Sequence, residues 1–505
     1  MESERLPSTT LLDEPTLQFR YGQGVHDPRD GLSLFGPSDM DEPSHPTSLP
    51  YAVIGSPDGV ALFAQWSAAM NLPHVQAPKN RFRLWPGYPG FEAAFGTAWP
   101  REPSWIHEID REPLLEASRH RDPNKRAFGV VNKYLETFDA ISQLDERLRV
   151  AVCVVPEEVY ANCRPESRVP AGSAVGERIS ASERKSLVAG QGNLFESSKP
   201  YELSVDFRRQ IKARSMQFDV PIQIVRESML RLNDENRFGQ RRLTPLSNRM
   251  WNLGTALYYK GGGKPWRLGT AREGVCYVGI AFRRVDKGTE GPRSACCAAQ
   301  MFLKDGDGVV FLGKYGPWYS PENRDFQLSR DAAHDLLKGA LDTYSQLHGK
   351  PLKEVFLHSR SNISQEEFDG YRAACPAGLS VIGIRVRLRR NGPRLHRQGA
   401  MPVLRGTLLP MSSTSGFLFA TGFKPRLRTY DGWEVPVPLQ IDIQHGEANL
   451  AEVSADILSL TKLNYNACTL GDAEPVTVKF SDSVGEILVS NPSVPDRRPQ
   501  FRFYI

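Results

Sequence analysis

Long apolar runs are absent. No stretch approaches the roughly 18 consecutive apolar residues that a membrane-spanning helix needs. The first residues, MESERLPSTTLLDEPTL, are polar and acidic and lack the apolar core of a secretory signal. A cytoplasmic protein is the expectation. Cysteine is scarce, with seven in 505 residues, and no two stand in C-x-x-C spacing. Cys296 and Cys297 are adjacent and cannot easily pair with each other. This usage points to free, mostly buried thiols and away from a disulfide framework or a zinc site. The ten histidines include no H-E-x-x-H, and no G-x-S-x-G elbow accompanies a Ser-His-Asp order. KDGDGV (304–309) lacks the downstream residues and terminal Glu of a calcium loop and reads as a β-turn.

Neither sign of charge dominates. The formal net charge is +5 and the isoelectric point about 8.7, which admits an anionic partner without demanding one. Hydrophobic residues make up 40% and charged residues 24%, within the range of globular chains. The length allows two or three domains.

Residues 1–50 are rich in Pro, Asp and Gly and read as an extended arm with turns. YAVIGSPDGVALFAQWSAAM then gives a short strand from Tyr51 to Ile54, a turn at Ser56-Pro57-Asp58-Gly59, and a helix carrying Val60, Phe63 and Met70 on one side. A helix is expected from Arg126 to Leu148, and LRVAVCVVPEEVY reads as a buried strand followed by a helix start. Residues 164–200 are Ser-, Gly- and Pro-rich, as expected of a surface loop. After Phe207 helix and strand alternate: GVCYVGIAFRRV, KEVFLHSR and LSVIGIRVRLRR are strands, and LAEVSADILSLTKLNYNA is a late helix. The alternation argues for an α/β fold. There is no internal repeat and no heptad pattern.

Three basic constellations stand out. In FRRQIKARSMQFDVPIQIV, Arg208 and Lys212 are four apart, which puts both cations on one helix face. Gln223 follows at the start of an apolar strand. Two cations and an amide suit a terminal phosphate; a solvated basic face has the same spacing. YYKGGGKPWRL resembles a phosphate loop, but Pro265 follows Lys264, removing an amide donor and barring a helix, and no Ser or Thr is placed for magnesium. The glycines instead let the chain turn after a helix that ends at Lys260. A helix cap with a dipole-favoured lysine accounts for the same residues. In IGIRVRLRRNGPRLHR, Arg385, Arg387 and Arg389 alternate with Ile384, Val386 and Leu388. On a strand one face is cationic and the other apolar. Like charges two residues apart repel unless an anion intervenes, which favours a sugar-phosphate backbone over a solvated face. Arg394 and Arg397 extend the stripe.

Taken in order, DPRDGLSLFGP, VVPEEVYANCRP, QIKARSMQFDVPIQIVRES, YYKGGGKPWRLG, GVCYVGIAF, ACCAAQMFLKDGDGVVF, KEVFLHSR and LTKLNYNACTLGDAEPVTVKF resemble a prokaryotic Argonaute of the short class, with MID and PIWI domains only. The resemblance covers nearly the whole chain. It implies an N-terminal arm (1–50), a Rossmann-like MID domain (51–270) and a ribonuclease H-like PIWI domain (271–505). It also implies that Arg208, Lys212, Gln223 and Lys260 grip the 5′-phosphate of a guide strand. Arg208 stands where relatives often carry Tyr or His; it can pair with phosphate but not stack in the same way. The C-terminal carboxylate at Ile505, with Gln223, is expected to hold Mg²⁺ beside that phosphate, a hard cation among oxygen donors.

Cutting is not expected. A slicing PIWI domain holds two metal ions with carboxylates. Here the first strand reads Gly279-Ile280-Ala281, and alanine replaces the expected aspartate. The later strand ends His358-Ser359-Arg360-Ser361, with a cation where an anion is needed. Asp482 alone cannot build a two-metal site; Asp286 or Asp305 would have to serve if the acids lie elsewhere. The resemblance implies a guide-RNA-loaded sensor of single-stranded DNA in antiphage defence. Its partner would be an APAZ-containing protein whose sirtuin-like or TIR domain depletes NAD. The alternatives are a guided nuclease and a basic nucleic-acid binder with no guide polarity.

Overall fold

A computed structural model describes residues 8–75, 83–144, 146–165, 167–170, 173, 175–178, 206–234, 243–270, 272–284, 295–302, 308–320, 325–347, 351–430, 432, 434–489 and 498–505. Most of the expected loop at 164–200, most of KDGDGV, and Asp286 and Asp305 lie outside the described residues, as do the side chains of Cys296, Cys297 and Asp482.

Two sheets organise the chain. The first has four parallel strands in the order Trp105–Glu108, Tyr51–Gly55, Val150–Val155, Ile222–Arg226. Tyr51–Gly55 and Val150–Val155 are apolar throughout and buried along their whole length, as central parallel strands covered on both faces must be. Helices connect them, giving the expected Rossmann-like arrangement. Ser56 to Gly59, read from sequence as a turn, instead starts the helix Pro57–Met70. Ser56 Oγ accepts from the Gly59 amide at 3.1 Å, and Pro57 takes the first helical position. The helix expected over 126–148 is two, Pro123–Leu135 and Phe138–Ser142. They part at Glu136-Thr137, where Thr137 Oγ1 accepts from the Trp105 indole at 3.0 Å.

The second sheet has nine strands. Val275–Arg284, Ala295–Phe302 and Gly308–Gly316 form an antiparallel meander; Glu354–Ser359 and Ser380–Leu388 then lie parallel to the first of these. The helices Arg330–Leu347 and Gln365–Ala374 lead into the two parallel strands. This is the strand order of a ribonuclease H-like core. Leu439–His445, Ser415–Phe419 and Thr407–Pro410 extend it, and Thr10–Leu11 adds the last strand.

The N-terminal segment is therefore part of the body. Besides the strand Thr10–Leu11, Leu17–Gln18 pairs with Arg267–Leu268, and Leu17, Phe19, Leu32 and Leu49 are all buried in a core shared by both sheets. A buried ion cluster fastens it. Glu14 meets Arg405 at 2.9 Å and Lys462 at 2.7 Å, and Lys462 Nζ also donates to the main-chain oxygens of Pro15 (2.5 Å) and His26 (2.9 Å). Burial pulls the Lys462 ammonium down to about 8. The same contacts explain why the late helix, Leu450–Leu460, ends at Thr461 and does not run on through Asn464: Lys462 turns inward to the arm.

Removing one partner of a buried ion cluster costs roughly 3–5 kcal/mol, because a charge is left unpaired. Glu14→Gln is therefore expected to lower the free energy of unfolding by about 3 kcal/mol in urea titration. A change within error would refute the assignment of the arm's anchorage to this contact.

Candidate phosphate-binding pocket

The helix Phe207–Ser215 starts at Asp206, whose side chain accepts from the Arg209 amide at 3.2 Å. The four-residue spacing puts Arg208 and Lys212 on the same face; Lys212 is buried there, 2% exposed, while Arg208, one turn earlier, stays exposed at the pocket wall. Gln223 is the second residue of the strand Ile222–Arg226, opposite Val152 of its neighbour. Lys260 ends the helix Leu246–Lys260 and is also 2% exposed. Beyond it the glycines turn the chain as expected. Gly262 sits at φ +103°, and a Cβ on Gly263 would fall 2.3 Å from the Tyr258 ring.

Sequence reasoning missed what holds that turn. Asp39, fully buried in the N-terminal segment, accepts from Tyr258 Oη at 2.5 Å and from the Lys264 amide at 2.8 Å. Ser38 Oγ donates to the Lys264 carbonyl at 2.9 Å. Tyr258 is two residues before Lys260, so these bonds fix the helix end that presents the lysine.

Arg208, Lys212, Gln223, Lys260 and Ile505 converge on one pocket of about 360 Å³. Lys212 Nζ donates to the main-chain oxygen of Tyr504 at 3.3 Å and to that of Ile505. Lys260 Nζ donates to Gln223 Oε1 at 2.7 Å and to the Ile222 carbonyl at 3.0 Å. No Asp or Glu side chain is among the described residues that line the pocket. Burial, above all, pushes both ammonium groups well below the ordinary lysine value; repulsion from Lys260 and Arg208 adds to it at Lys212, and from Arg208 at Lys260. Such a pocket suits a compact dianion, which would supply the missing negative charge.

Tyr160 and Arg226 also line it and were not singled out from sequence. The Arg226 guanidinium lies 4.7 Å from the Tyr160 ring centroid and meets Glu157 at 3.5 Å. Nothing in local spacing links positions 160 and 226; Arg226 ends a strand paired with Val150–Val155, and Tyr160 lies on the helix Glu157–Asn162 that follows that neighbour.

The terminal FRFYI is not a last strand. Phe501–Phe503 is a 3-10 turn, and Phe501, Phe503, Tyr504 and Ile505 are buried. Gln223 Oε1 and the main-chain oxygens of Tyr504 and Ile505 are hard donors of the kind Mg²⁺ takes. Lysines already use all three, so the donors fit a cation only when a bound phosphate supplies further oxygen.

The arginine stripe lies apart from this pocket, on Ser380–Leu388 and just beyond. Ile384 and Val386 are buried on its other face, as expected. Anions do intervene, but two come from within the chain. Arg385 pairs with Asp442 at 2.5 Å, Arg387 meets Asp325 at 3.4 Å, and Arg389 bonds to Gln440. In the ribonuclease H-like core, Ala281 is buried and His358 is pulled down to about 3 by burial, with Nδ1 2.9 Å from Thr477 Oγ1. Arg360 pairs with Glu474 at 3.0 Å. No cluster of three His, Cys, Asp or Glu side chains that could hold a metal occurs among the described residues. Asp482 lies in the helix Ser481–Val489.

The two-sheet architecture is an Argonaute-like MID/PIWI fold. It is similar to Clostridium butyricum Argonaute bound to a guide DNA and a 19-mer target DNA, with TM-score 0.62 and 14% identity over 99% of this chain and 55% of that one. It is also similar to an Aquifex aeolicus Argonaute, with TM-score 0.54 and 14% identity over 98% of this chain and 56% of that one. A structure of Aa-Ago with externally bound siRNA gives TM-score 0.56 and 14% identity, over 98% of this chain and 55% of that one. The chain thus spans a little over half the length of these proteins. Neither a protein-family model nor a curated protein sequence matches it. No helix among the described residues is long and apolar enough to cross a membrane.

The lysine environment sets a pH dependence. Burial favours loss of the proton from both groups well below the ordinary 10.5, and a dianion between them would favour the charged forms. Binding a phosphate monoester is therefore expected to take up protons between the depressed values and 10.5, so affinity falls as pH rises through that interval. Calorimetry at pH 8 in buffers of different ionisation enthalpy measures the uptake. Zero uptake would contradict this account.

Proposed function

We propose that the chain is a guide-directed nucleic-acid recognition protein in which the pocket holds the 5′-phosphate of a guide strand. One observation carries the reading: two buried lysines from separate segments meet in a pocket whose described lining has no Asp or Glu side chain, within an Argonaute-like fold. Lys212, Lys260 and Arg208 supply positive charge and Gln223 fixes an oxygen. Mg²⁺, held by Gln223 and the carboxylate of Ile505 together with the phosphate, would neutralise charge between strand end and chain end. The guide is RNA and the target single-stranded DNA; base pairing reads sequence while the protein reads backbone and shape.

The protein senses and does not cut. Alanine at position 281 and Arg360 beside the neutral His358 support this, since neither Ala281 nor a cation can ligate a metal. The output passes to an APAZ-containing partner with a sirtuin-like or TIR domain, which depletes NAD in the cytoplasm as an antiphage response. Target pairing must then contact the complex differently from guide alone, or no switching follows.

Competition between 5′-phosphorylated and 5′-hydroxyl RNA tests the pocket. Wild type is expected to prefer the phosphate. Lys212→Ala and Lys260→Ala each remove a charge-assisted bond worth roughly 1.5–3 kcal/mol, so the preference should drop about tenfold or more. Equal affinity of wild type for both strands would refute the proposal. Guide-loaded protein with labelled complementary DNA and Mg²⁺ or Mn²⁺ is expected to leave the DNA intact; a site-specific product would show a nuclease instead. NAD loss by the partner complex should require complementary target.

A further inference from the structure

A second basic cluster lies beside the glycine turn. Arg147 and Arg149 precede the strand Val150–Val155, and Arg498 and Arg502 belong to the C-terminal segment. Asp219, at the end of the 3-10 turn Met216–Phe218, is the carboxylate they share: it meets Arg147 at 3.0 Å and Arg498 at 3.4 Å. Asp219 adopts φ +55°, a left-handed conformation that non-glycine residues seldom take. Arg149 is exposed, and while its amide donates to the Pro50 carbonyl at 2.8 Å, its guanidinium has no hydrogen bond or ion pair among the described residues. Arg502 is half-buried, and its Nε has no hydrogen-bond partner there. Both guanidiniums face Gly262, where an added Cβ would stand 3.1 Å from Arg502 Nη1 and 3.9 Å from Arg149 Nη1. None of the four lines the phosphate pocket.

Four guanidiniums from two segments around one carboxylate leave positive charge uncompensated. The stripe at Arg385 and Arg387 is different, because internal acids answer it. Burial, and the nearby Arg149 and Arg147, disfavour the charged form of Arg502 although Tyr259 and Asp219 support it, so a further anion is wanted here too. Guanidiniums bind phosphate oxygens bidentately, and the bare backbone at Gly262 leaves room for close approach. We propose that Arg147, Arg149, Arg498 and Arg502 form a second anion site that takes the phosphodiester backbone of a single-stranded nucleic acid. It rests on the reading of the chain as a nucleic-acid binder, not on the pocket.

The test uses the full chain and a 5′-hydroxyl single strand, which has no terminal phosphate for the pocket. Binding is measured against salt concentration. Each phosphate contact on a single strand contributes about 0.7 to the slope of log K against log salt. Arg147→Gln/Arg149→Gln, which changes two exposed side chains, is expected to flatten that slope by about 1.4 for two lost contacts. Arg147→Lys/Arg149→Lys should keep it. The 5′-phosphate preference of the Gln variant should equal that of wild type. An unchanged slope in the Gln variant overturns the proposal. An equal loss in the Lys variant overturns it as well, since charge would not be the cause. If wild type shows no 5′-phosphate preference, the pocket reading fails while the slope comparison still decides this site.

Discussion

Two lysines buried in one pocket, with no Asp or Glu side chain among the described residues that line it, are the constraint around which the rest is arranged. A buried charge is normally paired, because moving it out of water costs several kcal/mol. Lys212 is met by the Tyr504 carbonyl and the terminal oxygen of Ile505, and Lys260 by the Ile222 carbonyl and the Gln223 amide. That partial compensation lets the lysines stay in place and leaves the site short of negative charge. On the proposed reading, a strand end bearing a dianion would complete it, while an end bearing a neutral hydroxyl would gain little. Discrimination between the two follows from charge balance more than from shape.

Holding two such groups together needs a stiff surround, and distant parts of the chain supply it. The N-terminal segment braces the Lys260 turn through Asp39 and the second sheet through Glu14. The C-terminal segment closes the pocket with Tyr504 and Ile505, and it is itself tied to the second sheet: the Pro499 carbonyl accepts from the Val310 amide at 2.8 Å, and Phe501 packs edge-on against Phe480. The pocket is thus built by the first domain and shut by the second.

Much of this was legible in the sequence where local periodicity coincided with burial. The runs at Tyr51 and Val150 are apolar without interruption, and the alternation at Ile384 to Leu388 left no choice of face. Lys212 and Lys260 were found because the resemblance to short Argonautes linked segments that spacing alone cannot connect. What stayed hidden depends on distant contacts. Ser56 looked like a turn residue and is a helix cap, a role the same side chain fills equally well. At the break the Thr137 hydroxyl is engaged by an indole 32 residues away. The late helix stops early because Lys462 is claimed by a segment at the other end of the chain. Asp442 and Asp325 answer the arginine stripe from other elements, so a row of like charges was a poor guide to how much of it is free.

The shortage of negative charge in the pocket bears on how the protein is handled. Anything that binds only the folded form stabilises it by mass action. If the pocket takes a phosphate as proposed, inorganic phosphate or sulfate in a buffer would occupy it, raise the melting temperature and compete with an incoming strand. Storage in such a buffer and assay in one free of oxyanions would suit the same molecule for opposite reasons.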